Sequence, residues 1–361
     1  MKDKIKKIFG SGLGQLTIPL IAILLLVIFN LIRDPSFFSI SVLNNSDGNA
    51  VLSGNLISII NGASELAILA MGMTLVTAAC GGQDISVGAA AAIAGSVLVK
   101  VLKSIGDINA GTVILAFLLA CVVAMLFGAF NGTLVAYFRI QPMIATLILF
   151  TCGRSIAYWI NGGASQTIES PIINAIGGFI PGIPIPTPVL IVIFTGIIMK
   201  LVFHFTSLRI FTQSVGINGE AARLNGINSK FIKLLSFIIL GVCVAIAGTI
   251  SVSRLGLINH ESILIDIEMD AILAVAIGGN NLGGGKFKIL GSIIGAYVIQ
   301  MLTITLYAMK VRSTDVKAYK AIVIILLVVI GSPVVKARVN KLLMKIRKKK
   351  ELRAEKGEGR S

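Results

Sequence analysis

The chain has 361 residues, of which 55% are hydrophobic and only 13% charged, with a mean hydropathy of +0.93 and a formal net charge of +16. Soluble domains carry about 25% charged residues, and the surface of a soluble fold of this length needs polar cover that this chain lacks. Composition therefore excludes a soluble enzyme and a disordered chain, and it leaves lipid as the solvent.

In chain order, apolar windows predict ten helices, at 13–32, 62–80, 85–102, 111–137, 141–161, 187–206, 233–253, 270–280, 288–309 and 318–335. A transmembrane helix takes about 20 residues, so the chain can supply all ten. The basic start before the first window imitates a secretory leader. No small-residue cleavage site follows Leu31, however, and Arg33-Asp34-Pro35 comes next, so an uncleaved span is expected. Window 270–280 is short and others are interrupted by glycine. Backbone amides in lipid must be satisfied internally, so short or broken spans are expected only where protein or a water-filled cavity surrounds them. The Gly- and Pro-rich stretch 162–186, with Pro171, Pro181, Pro184 and Pro186, is too irregular for a lipid-crossing helix; a structured cap is expected there. The expected fold is an all-α polytopic membrane protein, with broken or short helices around a central pathway. Its parts are a basic N-terminus (1–12), a transmembrane domain (13–335) containing an internal loop (207–232), and a basic tail (336–361).

The positive charge is not a nucleic-acid surface. Residues 1–10 carry a net +3 and residues 336–361 a net +8, so most of the excess sits at the two ends. No aromatic-interleaved basic groove lies between them. Basic ends beside apolar spans place both termini in the cytoplasm, which ten spans satisfy. The same count puts loops 207–232 and 281–288 inside and the acidic 254–269 loop outside. It also puts Lys310, Arg312 and Lys317 outside, against the charge rule.

Residues Gly81–Gly88 resemble Gly278–Gly285, displaced by 197 positions. Each segment follows one small-residue apolar helix and precedes another, a candidate half-chain repeat of the kind found in transporters with broken helices. The glycine loop before Lys286 fails the phosphate-loop pattern, because Asn280 stands where glycine is needed and Phe287 where serine or threonine is needed. No nucleotide site is therefore expected on this chain. The four cysteines, Cys80, Cys121, Cys152 and Cys243, form no metal or disulfide pattern. His204 and His260 lack partners at ligand spacing, and no nucleophile–base pair is evident. Catalytic residues and a metal site are thus not expected.

Two features remain. Within the largest internal loop, Glu220-Ala221-Ala222-Arg223-Leu224-Asn225-Gly226-Ile227 reads as a short helix with a glycine stop, able to transmit force or to serve only as a connector. Intramembrane charge is costly, about 2.5–3.5 kcal/mol on insertion scales. Glu65, Asp84, Arg154 and Asp270 fall in or beside spans, whereas Lys100 and Lys200 can snorkel. Arg154 is expected to pair with Asp84 or Glu65, or with carbonyls at a helix break. Gln83, Asp84, Ser86, Arg154, Asn280 and Asn281 are the candidate pathway residues.

Met71-Gly72-Met73-Thr74-Leu75-Val76 followed by Gly81-Gly82-Gln83-Asp84-Ile85-Ser86-Val87-Gly88 resembles the hallmark of bacterial sugar ABC-importer permeases of the ribose/xylose/galactose group. The likeness continues through Asn131-Gly132, Arg139–Leu147, Gly153-Arg154, Glu220–Ile227, Met269–Gly279 and Gly284–Ala296. Residues 140–149 look especially like galactofuranose-type permeases. Gln83 and Ile85 depart from the hallmark, where Ile and Leu are common. The resemblance implies a non-catalytic permease of the bacterial inner membrane, paired with an identical or sister permease subunit. A partner ATPase with tandem domains would bind ATP and Mg, and an extracytoplasmic protein would deliver a monosaccharide of galactofuranose, galactose or ribose type. The segment 220–227 would be the coupling helix. Nucleosides, autoinducers and branched-chain amino acids are alternative substrates on the same scaffold, and an ion-coupled secondary transporter is the alternative class.

Overall fold

The computed structural model describes residues 17–44 and 50–331. The two basic ends, and the first residues of window 13–32, lie outside the described residues. Chain contacts divide the molecule into two units, Met1–Lys310 and Val311–Ser361.

The first unit opens with α1 (Thr17–Arg33) and an antiparallel hairpin of β1 (Ser41–Asn44) and β2 (Ala50–Ser53), in register Ser41↔Ser53. A short α2 (Asn55–Gly62) leads into α3 (Ser64–Cys80). After a non-helical stretch come α4 (Val87–Ile105), α5 (Ala110–Ala136) and α6 (Pro142–Ile160). The expected cap contains β3 (Gln166–Thr167) and α7 (Pro171–Gly177). Then follow α8 (Thr187–Phe205), α9 (Leu208–Ile217), α10 (Gly219–Leu224) and α11 (Ser229–Leu255). β4 (Leu257–Ile258) pairs with β3, and α12 (Ile267–Ile277) and α13 (Ile289–Ala308) complete the unit. The second unit contributes α14 (Ser313–Gly331), whose first turn carries the exposed ion pair Arg312 Nε–Asp315 Oδ2 at 2.9 Å.

Among the described residues, seven helical segments are long and apolar enough to cross a membrane: 55–80, 87–105, 110–136, 142–160, 187–205, 229–255 and 289–308. The other three expected spans correspond to α1, α12 and α14. This is an all-α polytopic membrane protein. At 1.5 Å per residue, the 11 residues of α12 reach only about half-way through a bilayer.

Burial does not follow apolarity. The most apolar span, α5, has a third of its window buried, while the α2–α3 span is 94% buried. Lipid is as apolar as a protein interior, so strong hydrophobicity marks the outside. The inside is marked by small residues that let backbones approach. Helix α3, with its Ala, Gly and Thr, packs against α8, α9, α11, α12 and α13. Its Gly72 is filled against Leu240 and Cys243 of α11, and Gly241 of α11 lies against Ala124 of α5. A satellite cluster of Phe37, Ile59 and Met301 ties the segment after α1 to α2 and α13.

Two details refine the expected connections between spans. The internal loop 207–232 is largely helical, holding all of α9 and α10. Arg254, the first residue of the expected 254–269 loop, is in the last turn of α11.

Candidate functional site

The two glycine-rich segments meet. Helix α3 ends on Gly81 in the left-handed conformation (φ 61°), a stop that only glycine adopts without cost. The chain then runs irregular and buried from Gly82 to Ser86 before α4 begins. It climbs beside α6: Gly82 touches Pro142, Ile85 N donates to Thr146 Oγ1 at 3.1 Å, and Gly153 lies against Ala89. The backbone donors that helix would have satisfied find other acceptors. Ser86 N and Oγ both donate to Asp84 Oδ1 (2.7 and 2.6 Å), and Asn131 Nδ2 donates to Ser86 Oγ at 3.0 Å. This is how irregular backbone is tolerated at membrane depth.

The second segment crosses the first. Gln83 Nε2 donates to Leu282 O (3.0 Å), and Gly285 N to Ala78 O (3.0 Å). A Cβ on Gly81 would lie 2.8 Å from Gly283 O, so the two backbones are in contact. Asn280 organises the second segment: its Nδ2 donates to Ser292 Oγ (2.8 Å) and its Oδ1 accepts from Lys288 N (2.7 Å). Ser292 Oγ is 2.6 Å from Thr74 Oγ1, which continues the network into α3. Asn281 closes its own turn, with Nδ2 on Gly284 O and Oδ1 accepting from Gly283 N.

Arg154 takes neither Asp84 nor Glu65. Its Nη1 donates to the carbonyls of His260 (2.8 Å), Ile263 (3.0 Å) and Glu261 (3.2 Å), in the break between β4 and α12. The guanidinium and the Glu268 carboxylate both border Gly88, where a Cβ would lie 2.5 Å from Glu268 Oε2 and 3.3 Å from Arg154 Nη2. One cation thus closes the break between β4 and α12, beside the buried Glu268 carboxylate. Glu65 pairs with Arg254 (Oε2–Nη2 3.2 Å), and Arg254 Nη2 also donates to Asn61 O (2.9 Å). This ion pair joins α2, α3 and α11.

The 220–227 segment forms α10 over Gly219–Leu224 and then turns out through Asn225 and Gly226 (φ 82°). Asn218 Oδ1 caps it by accepting from Glu220 N and Ala221 N (3.1 and 3.0 Å). Only Ala222 is buried, while Ala221 and Leu224 face outward and Glu220 pairs with Arg223 at 3.3 Å. Two residues before that cap, Gly216 at the end of α9 is pressed on the crossing. A Cβ there would collide with Ala78 O and lie 2.7 Å from Gly285 N. The exposed helix and the buried crossing are therefore one contiguous contact chain.

Two cavities, of about 680 and 690 Å³, open in the first unit. The smaller is walled by α7, Glu169 and the end of α11, including Arg254. None of Gln83, Asp84, Ser86, Arg154, Asn280 or Asn281 lines either one. Their polar atoms are instead engaged in holding irregular backbone. Among the described residues, no cluster of three His, Cys, Asp or Glu is placed to hold a metal. Sequence reasoning missed Gly216, Thr146, Ser292 and Arg254. A hydroxyl inside an apolar helix was the available signal for Thr146 and Ser292; Gly216 carried none.

Residues 55–331 match the family described as branched-chain amino acid transport system / permease component. The chain belongs to this family. The permease is 36% identical to the galactofuranose transporter permease protein of Escherichia coli (strain K12) over 323 residues, 89% of this chain and 90% of that one. It is 34% identical to the fructose import permease protein of Bifidobacterium longum (strain NCC 2705) over 359 residues, 97% and 95% of the two chains. The ribose import permease protein of Escherichia coli (strain K12) is 33% identical over 316 residues, 87% and 92%. No solved structure matches the permease.

Proposed function

We propose that this permease is the membrane subunit of an ATP-driven importer and that its cargo is a monosaccharide. Relatives that cover nine-tenths of the chain carry sugar names, which favours a sugar over the branched-chain amino acid in the family description. The observation that carries the mechanism is the contact chain from α10 through Gly216 to the paired segments 81–86 and 280–285. An ATPase binding ATP and Mg, with tandem domains, docks on α10 from the cytoplasm. A push on α10 reaches Ala78 and Gly285 through backbone contacts that have no side chain to absorb it.

Interiors repack between discrete arrangements rather than deforming continuously, so the push switches the crossing and opens access on one face at a time. Gln83, Asp84, Ser86, Asn280 and Asn281 border the pathway as the groups that hold the crossing in each arrangement, and Arg154 anchors the outer end. A second permease subunit completes the pathway, and an extracytoplasmic binding protein delivers the sugar.

Proteoliposomes carrying the permease, its ATPase and its binding protein should accumulate labelled galactofuranose, fructose or ribose only with ATP. Accumulation by the permease alone on a proton or sodium gradient would overturn the ATP-driven reading. Uptake of leucine in preference to every sugar would overturn the cargo.

A further inference from the structure

The larger cavity has an unusual lining. It lies between the last turns of α8, the start of α9 and the chain entering α13, and measures about 690 Å³, within the ~300–1,000 Å³ of small-ligand sites. Lys200, His204, Arg209 and Lys288 line it, with no carboxylate among the lining residues. The side chains of Lys200 and Arg209 make no ion pair or hydrogen bond with any described residue. The wall is otherwise apolar, and Phe203 and Phe287 meet edge-on in it at 4.9 Å between centroids. Along α8 the wall runs out through Ile193 and Ile197 onto an exposed apolar face with Phe194 and Leu201. In a membrane that face meets acyl chains.

We propose that this groove holds an anionic phospholipid. Its phosphate sits between Lys200 and Arg209, near Lys288, and its acyl chains lie against Ile193, Ile197 and the outer face of α8. A sugar would leave the apolar wall uncovered, and a free phosphate would use only the cationic end. A lipid with a negative headgroup satisfies both ends, and basic pockets between spans recognise such headgroups by this chemistry. Arg209 lies in the first turn of α9 and Gly216 in its last, so the bound lipid braces the helix that reaches the crossing. The proposal rests on α8 facing lipid, but not on sugar import; lipid retention is read without transport.

The test is native mass spectrometry of the full chain in detergent, with phosphatidylglycerol, cardiolipin or phosphatidylethanolamine added. Wild type should retain the two anionic lipids in preference to phosphatidylethanolamine. The double variant Lys200→Gln, Arg209→Gln should retain them about 25-fold less, given that each cation near a headgroup contributes roughly a factor of five. The charge-keeping Lys200→Arg, Arg209→Lys variant should bind as wild type, which separates charge from misfolding. Equal retention by wild type and the double Gln variant overturns the proposal. So does full displacement of phosphatidylglycerol by equimolar inorganic phosphate.

Discussion

Gly216→Ala adds one methyl group at the joint between α9 and the crossing. The Cβ would collide with Ala78 O and lie 2.7 Å from Gly285 N, both backbone atoms that cannot rotate away. Overpacking of this kind costs about 1–3 kcal/mol. Wedging Gly285 from Ala78 also removes their 3.0 Å hydrogen bond, a further ~1 kcal/mol. Alanine returns up to ~1 kcal/mol of helix propensity to α9, leaving a net cost of about 2 kcal/mol. If that cost falls on one of the two transport conformations, their ratio shifts by about 30-fold, at 1.4 kcal/mol per factor of ten. The assay is ATP-driven sugar uptake in proteoliposomes beside ATPase rate and melting temperature. Uptake should fall at least tenfold while the ATPase still turns over. Gly196→Ala is the control: it is helical, and its nearest neighbour, Met71 Sδ, is 4.0 Å from the new Cβ. It should leave uptake intact. Wild-type uptake and melting temperature in Gly216→Ala would refute the transmission argument.

Other outcomes follow from the same geometry. Arg154→Gln should lower the melting temperature by the equivalent of about 2–3 kcal/mol, through loss of charged hydrogen bonds to three carbonyls. Arg154→Lys should rescue it only in part, because an ammonium lacks the guanidinium fork. In a thermal double-mutant cycle, Glu65→Gln and Arg254→Gln should be non-additive by about 1–3 kcal/mol; additive losses would mean that their 3.2 Å contact carries no energy. Glu220→Lys should uncouple ATP hydrolysis from uptake with the protein still inserted. Its carboxylate is exposed and, among the described residues, pairs with Arg223 alone, so undiminished uptake would remove the proposed docking role of α10.

Span positions were legible because lipid imposes a simple rule, apolar runs of bilayer length. The predicted 111–137 became Ala110–Ala136, and 187–206 became Thr187–Phe205. What the rule cannot see is which spans are central, since hydropathy ranks α5 above α3 while burial ranks them the other way. It also missed α2 and α9. α2 is eight residues long, and α9 mixes Arg209, Thr212, Gln213 and Ser214 with apolar positions over only 10 residues. The likeness of segments 81–88 and 278–285 was visible, but their contact was not, because it is made by backbone atoms. The possible partners of Arg154 were foreseen as a set. Choosing among them required knowing that the chain breaks beside it at 259–266, where Leu264 and Asp266 both have positive φ.

The clasp at Arg254 has a consequence for how the protein is made. The hydrogen bonds that close it join residues 193 positions apart. At synthesis rates of about 5–20 residues per second, the partner of Glu65 emerges on the order of 10–40 seconds after Glu65 itself. Throughout that interval the carboxyl group in the first turn of α3 is without its cation. Insertion of the first spans must therefore proceed with Glu65 protonated, at the aqueous interface or shielded by the insertion machinery. The arrival of α11 then ends the wait and locks the first third of the chain to the last.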